Sequence, residues 1–350
     1  MMDNRELVHQ LSVYPEYRTE FRNESFETRI QRCETLYRVY QPLPFSLRMY
    51  AKVYTAMQAA YSNYYEGWQK RVPGSGTSMS LVGVSGIGKS AAMSRILSCF
   101  PKTIRHSAYA GFPLPVVQIP YLLVQTPHNA SVKSLCFAIL AGIDRLLGTN
   151  YHEQTTRMRI TLDGLIQRIV CITEAFHVGL LVLDEIQNIV YGKNNELMNF
   201  VVQLTNSTSI STCFVGTPQA IQPLKSQLRA ARRTAGICLD RIEYGSEFHL
   251  LADALWKYQY TQTRCSMTEE TRRLLYELTG GIPDILAKLL CLTQQRAISE
   301  GCERITHQTL RQTAVKELAI PLEVVRRSTE DAPSDAMLPA DVSDIWEVVS

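Results

Sequence analysis

Gly83-Val84-Ser85-Gly86-Ile87-Gly88-Lys89-Ser90 is the stretch on which the fold turns. It matches GxxxxGKS without mismatch, which average residue usage produces by chance in roughly 1 in 100 chains of this length. The glycines let the backbone curl so that successive N–H groups face one point, at the positive end of the helix that follows. Such a curl suits a phosphate chain. Lys89 adds a mobile charge for the outer phosphates and Ser90 a hydroxyl for Mg²⁺. With ATP as the ligand, the cradle comprises Gly83, Ser85, Gly86, Ile87, Gly88, Lys89, Ser90 and Ala91. An ordinary glycine turn is the competing account. Against it, Met79–Val84 reads as a short buried strand and Ala91–Phe100 as a helix, the setting the motif requires.

Downstream, Leu180-Leu181-Val182-Leu183-Asp184-Glu185 reads as a buried parallel strand ending in two carboxylates. The carboxyl ends of such strands are where α/β sheets bind ligands. Asp184 suits a Mg²⁺ ion held through its water shell, and Glu185 suits polarisation of an attacking water. Alone, an apolar run ending in Asp-Glu is weak, because strands often finish in acids. Beside the glycine loop it becomes strong. A further strand end, Cys213-Phe214-Val215-Gly216-Thr217, places the Thr217 hydroxyl where a γ-phosphate sensor is expected, although Gly-Thr-Pro is equally a simple turn. Arg229, Arg232 and Arg233 follow. They read either as a solvated basic face or, through Arg232 or Arg233, as a finger that neutralises transition-state charge in a neighbouring subunit's site.

Around these motifs, strand-like and helix-like segments alternate. Val116–Val124, Gly179–Leu183 and Thr212–Val215 are strand candidates. Residues 46–70, 132–147, 162–174 and 195–204 carry helical spacing. After about residue 250 the segments 251–263, 268–279, 284–299 and 307–318 all read as helices, broken at Gly280-Gly281-Ile282-Pro283. The expectation is an α/β nucleotide-binding fold, a parallel sheet flanked by helices, followed by a small all-helical lid. Its divisions are an N-terminal arm (1–45), an α/β core (46–250), a lid (251–325) and an acidic flexible tail (326–350). The tail ends in Asp344-Ile345-Trp346-Glu347-Val348-Val349, readable as a frayed terminus or as a linear hook that orders in a partner's groove.

Composition sets outer limits. The 350 residues are 45% hydrophobic and 20% charged, ordinary for a soluble globular chain. No run of apolar residues is long enough to span a bilayer, and the N-terminus lacks an apolar signal core. A cytoplasmic protein without membrane contact is expected. Nine dispersed cysteines form no CxxC pair and seven histidines no HExxH, which speaks against a disulfide framework or a zinc site. Net charge is +3, but residues 330–350 hold six acids and no Lys or Arg, leaving 36 basic against 27 acidic residues elsewhere. A basic body permits nucleic-acid binding without proving it.

The order of these motifs resembles an AAA+ ATPase, and more specifically the TnsC/TniB family of transposition regulators. The residues that carry the resemblance are the GVSGIGKS loop, Leu180–Asn188, Leu197–Phe200, Phe214–Ala220, Arg232-Arg233, Ala254–Tyr258, Leu275–Leu278, Gly280–Asp284 and, before the first long helix, Tyr40–Pro44. The likeness covers about residues 35–320. It implies an ATP-dependent regulator in a bacterial cell that links a TniQ-like target-selection adaptor to a TnsB-like or TnsA-like transposase, with the tail as one contact. It also implies a homo-oligomeric ring or filament on duplex DNA, of about six or seven subunits per turn, joined head to tail. One departure stands out. The arginine common at the start of a late lid helix is replaced by Pro283-Asp284, and Lys288, one turn on, is the candidate substitute.

By placement against the family, the loop 127–133 with Asn129 and Lys133, and the helix end near Arg145 and Thr149, would face the bore and its DNA. Lys102 and Arg105, with Thr103 and His106, form another small basic cluster. Such groups suit phosphate contacts that position without reading sequence, and equally suit plain solvation. The competing functions are an AAA+ helicase loader, a P-loop kinase and an ATP-binding scaffold with negligible turnover.

Overall fold

In the computed structural model, residues 2–62, 76–109, 112–189, 196–220 and 234–318 are described. The strands in chain order are β1 (Ser78–Gly83), β2 (Ile104–Tyr109), β3 (Phe112–Gln118), β4 (Tyr121–Gln125), β5 (Leu180–Asp184), β6 (Ser211–Gly216) and β7 (Thr234–Leu239). Helices among the described residues are α1 (Asn4–Leu11), α2 (Phe26–Cys33), α3 (Pro44–Ser62), α4 (Lys89–Leu97), α5 (Val132–Leu147), α6 (Tyr151–Arg157), α7 (Leu162–Ala175) and α8 (Glu196–Ser207). The C-terminal part adds α9 (Ser246–Trp256), α10 (Glu269–Thr279), α11 (Pro283–Ser299) and α12 (His307–Glu317).

Five strands form one sheet in the order β4-β5-β6-β1-β7, every pairing in it parallel. A parallel sheet is covered on both faces, so its strands are apolar on both. The period of two sorts their residues. On β5, Leu180 and Val182 join one core, while Leu181 and Leu183 join the other. On β6, Cys213 and Val215 face the first core and Phe214 the second. Helices α3 and α4 cover the first face and α5, α7 and α8 belong to the second. Each fully buried Leu or Val there contributes roughly 1.5–3 kcal/mol relative to exposure.

The C-terminal helices are well punctuated. Thr268 caps α10 through its side chain, Gly280 ends it in the left-handed conformation, and Pro283 opens α11. The N-terminal residues pack onto this block. Arg29 of α2 makes a two-pronged ion pair with Glu303, at 2.7 and 2.8 Å, and also reaches the Tyr260 carbonyl. Tyr17 lies edge-on against both Tyr258 and Tyr260.

Three details differ from the sequence expectation. The single strand at 116–124 is two: Val116–Gln118 finishes β3, which pairs antiparallel with β2 outside the main sheet, and β4 begins after Pro120. A proline cannot donate to a ladder, so the break falls there. Strand β7 and helix α6 carried no expectation. The helix expected at 251–263 instead runs Ser246–Trp256. Beyond it, the Gln259 side chain donates to the Trp256 and Cys265 carbonyls, and Gln294 bridges Tyr260 N–H and the Tyr258 carbonyl, so side chains satisfy the backbone that a helix would have paired. The helix expected to reach residue 70 is described as far as Ser62; the rest, like the 326–350 tail, lies outside the described residues.

Candidate nucleotide site

Strand β1 delivers Gly83 at its carboxyl end, and the chain then curls through Gly86 and Gly88 into α4. Gly86 has φ +79° and Gly88 φ +94°, backbone that L side chains adopt only with strain. Lys89, the first residue of α4, is buried. Its Nζ donates to the carbonyl oxygens of Gly83 and Val84, at 2.8 and 2.9 Å. Burial pushes the Lys89 ammonium below the ordinary lysine range, against the opposing pull of Glu185 and Asp184.

Strand β6 lies between β1 and β5, so three strand ends converge on one cleft of about 270 Å³. One wall is Ser85, Gly86, Gly88, Lys89, Ser90 and Ala91. The other comprises Asp184 and Glu185 from the end of β5 and Thr217 from the end of β6. Gly83 lies beneath the curl and Ile87 points away, into the first core and a second cleft of about 410 Å³ with Leu43, Phe45, Arg48, Leu239 and Ile242. The donor set at Ser90 and Asp184 is a hydroxyl and a carboxylate, hard oxygen ligands that fit Mg²⁺ with phosphate and water completing its shell. Among the described residues no three His, Cys, Asp or Glu groups gather as a metal cage.

Glu185 occupies the left-handed region at φ +55° and its N–H donates to Asp184 Oδ1 at 2.9 Å. Its carboxylate accepts from the Gln187 amide. Gln187 and Asp284 also line the cleft, and neither carried a role on the sequence reading. Gln187 lies within the quoted Leu180–Asn188 run, and a polar side chain two residues past the carboxylate was its only signal. Asp284, at the start of α11, donates its N–H to the Gly86 carbonyl at 3.2 Å and pairs through Oδ2 with Lys288 Nζ at 2.6 Å. Lys288 is thus engaged by Asp284 and is not itself among the residues that line the cleft.

Arg232 and Arg233 lie outside the described residues. The other cationic candidates are dispersed. Lys102 and Arg105 are exposed at the start of the β2–β3 hairpin. Asn129 is spent locally, accepting from Ser131 N–H and donating to Ser134 Oγ. Lys133 and Arg145 sit near opposite ends of α5, about 18 Å apart at 1.5 Å per residue. Thr149 donates its hydroxyl to Asp144 Oδ1 at 2.6 Å, and Asp144 also accepts the Tyr151 and His152 N–H groups, which caps α6.

A five-stranded parallel sheet, a glycine loop at the end of its second-to-edge strand, paired carboxylates two strands away and a trailing helical block define an AAA+ P-loop ATPase fold. The chain belongs to the TniB family: the profile described as "Bacterial TniB protein" matches residues 49–244, more than half of the sequence. No curated protein matches the chain in sequence. Among solved structures, the Orc1 protein of Aeropyrum pernix, determined in complex with DNA, is similar at 13% identity and a TM-score of 0.50, covering 79% of this chain and 66% of that one. A Walker-type ATPase of Pyrococcus abyssi gives 13% identity and a TM-score of 0.45, covering 71% of each chain. RuvB of Thermotoga maritima gives 15% and 0.41, covering 75% of this chain and 66% of that one. No helix among the described residues is long and apolar enough to cross a membrane.

Proposed function

We propose that this chain binds MgATP between β1 and β5 and hydrolyses it, and that the nucleotide state governs its assembly on duplex DNA during bacterial transposition. One observation carries the reading: Lys89, Asp184, Glu185 and Thr217 share a single cleft. The backbone N–H groups of the loop and Lys89 hold the phosphates, and Lys89 exchanges its two carbonyl partners for phosphate oxygens. Ser90 and Asp184 would hold Mg²⁺, which spreads charge over the β- and γ-oxygens when bound. Glu185 orients a water toward the γ-phosphorus and accepts its proton as the new P–O bond forms and the bridging P–O bond breaks, leaving ADP and phosphate. Thr217 faces the γ-phosphate, and Leu43, Phe45 and Ile87 give the base an apolar shelf.

Membership in the TniB family supports the transposition role, with a TniQ-like adaptor and a TnsB-like or TnsA-like transposase as partners. Core (46–250), lid (251–325), arm (1–45) and tail (326–350) serve as working divisions, with Arg232 or Arg233 completing a neighbour's site. Lys102, Arg105, Asn129, Lys133, Arg145 and Thr149 are the phosphate-contact candidates, and Lys288 the lid's cation toward the nucleotide. Electron microscopy of the full chain with duplex DNA and a slowly hydrolysed ATP analogue tests this. Rings or filaments on the duplex that require the analogue are expected; free protein and bare DNA under the same conditions would overturn it.

A further inference from the structure

Glu185 is exposed on a turn, at the end of a strand, with a flexible side chain. A carboxylate that must aim one water at one phosphorus needs an orientation fixed by something else. The structure supplies it. Thr217 N–H, rooted at the end of β6, donates to Gln187 Oε1 at 3.2 Å. A backbone N–H can only donate, so it fixes which end of the Gln187 amide is oxygen. The NH₂ end is thereby turned toward Glu185 Oε2, which accepts from it.

The turn around this amide is closely fitted. Glu185 holds φ +55°, strain that persists only when the surroundings over-determine it. Ile186–Ile189 forms a single helical turn after it, and Asn188 Nδ2 ties that turn to the Thr126 carbonyl at 2.9 Å. At Gly216, a Cβ would stand 2.5 Å from Ile186 Cγ2 and 2.7 Å from Gln187 Oε1. Only a residue without a side chain lets the end of β6 approach the amide this closely.

We infer that Gln187 is the positioning residue of the hydrolytic site: its amide clamps the Glu185 carboxylate to the end of β6 and transmits the setting of Thr217 to it. The inference rests on the ATPase reading above and deepens it. The hydrogen-bonded path from Thr217 to Glu185 runs through the Gln187 amide, which makes one respond to the other. A γ-phosphate that draws on Thr217 moves the anchor of the group that aims the water.

The test is a double-mutant cycle on the full-length protein with duplex DNA present. ATP turnover and binding of a fluorescent ATP analogue are measured for the parent chain, Gln187→Met, Glu185→Gln and the pair. Methionine keeps the length of glutamine and removes the amide. Gln187→Met is expected to lower kcat about tenfold to a hundredfold, with KM, analogue affinity and melting temperature unchanged. In the Glu185→Gln background it is expected to lower single-turnover hydrolysis no further, because it acts only through Glu185. Parental kcat in Gln187→Met beside a crippled Glu185→Gln overturns the clamp and leaves the ATPase reading standing. So does an equal loss in both backgrounds, or a loss that tracks KM and melting temperature. Normal turnover in Glu185→Gln overturns both.

Discussion

The Lys89 ammonium lies 2.8 Å from the Gly83 carbonyl oxygen, so the proposed phosphate ligand also closes the loop on its own backbone. On the proposed reading, nucleotide binding would exchange one set of oxygens for another at a group already out of water. That exchange makes the strength of binding depend on the protonation of Lys89.

Burial lowers the Lys89 pKa, and a bound polyphosphate favours the charged form and raises it again. Binding is thus coupled to proton uptake once pH exceeds the depressed value. ATP affinity is expected to fall as pH rises, with the fall beginning below the range in which an ordinary lysine titrates. Titration of a fluorescent ATP analogue at successive pH values checks it, and a flat profile would refute it. Lys89→Ala is expected to abolish binding and nucleotide-dependent assembly on DNA.

Glu185→Gln removes the proposed proton acceptor but keeps the shape of the side chain. Phosphate release is expected to drop by about 10²–10⁴, while assembly on DNA with ATP persists and outlasts that of the parent chain. Phosphate release and light scattering, followed together, separate the two effects.

Gly216→Ala introduces the methyl that Ile186 and Gln187 exclude. It is expected to lower kcat and to destabilise the fold by roughly 1–3 kcal/mol, with ATP affinity within about twofold of the parent, since the phosphate loop is on another strand. Chemical denaturation and analogue titration read these separately.

The Arg29–Glu303 pair joins the first forty residues to the last helices. The hydrogen bond from Arg29, foremost, holds the Glu303 carboxyl below its usual range. A lowered carboxylate pKa stabilises the fold fully above the unfolded value and is lost as pH falls through the folded one. Arg29→Met is expected to cost about 3 kcal/mol at neutral pH, and the gap to the parent chain to shrink below about pH 4. Denaturation at pH 7 and pH 3.5 measures it.

Lys133 and Arg145 stand too far apart on α5 to share one phosphate. If both touch DNA, each alanine substitution is expected to reduce the salt slope of binding by about one, additively. Fluorescence anisotropy at several salt concentrations gives the slopes; unchanged slopes would assign both to solvent.

The phosphate loop and the carboxylate strand were legible because each is a local pattern with its chemistry written in adjacent residues. The sheet's period of two was equally plain in Leu180–Leu183, where every residue is apolar and both faces are buried. Strand β7 escaped because Thr-Ala-Gly-Ile-Cys-Leu holds few large apolar residues and depends on β1 beside it. The β2–β3 hairpin was hidden by the merging of Val116–Gln118 with β4 across Pro120. Gln187 and Asp284 were unreadable as site residues for a different reason. Each matters through a partner on another element, Thr217 or Gly86, and no spacing along the chain announces that meeting.

Asp284 N–H is bonded to the loop at Gly86, and α11, which begins there, packs against α2. Through Gly86 the phosphate loop thus meets a block to which residues from both ends of the chain contribute.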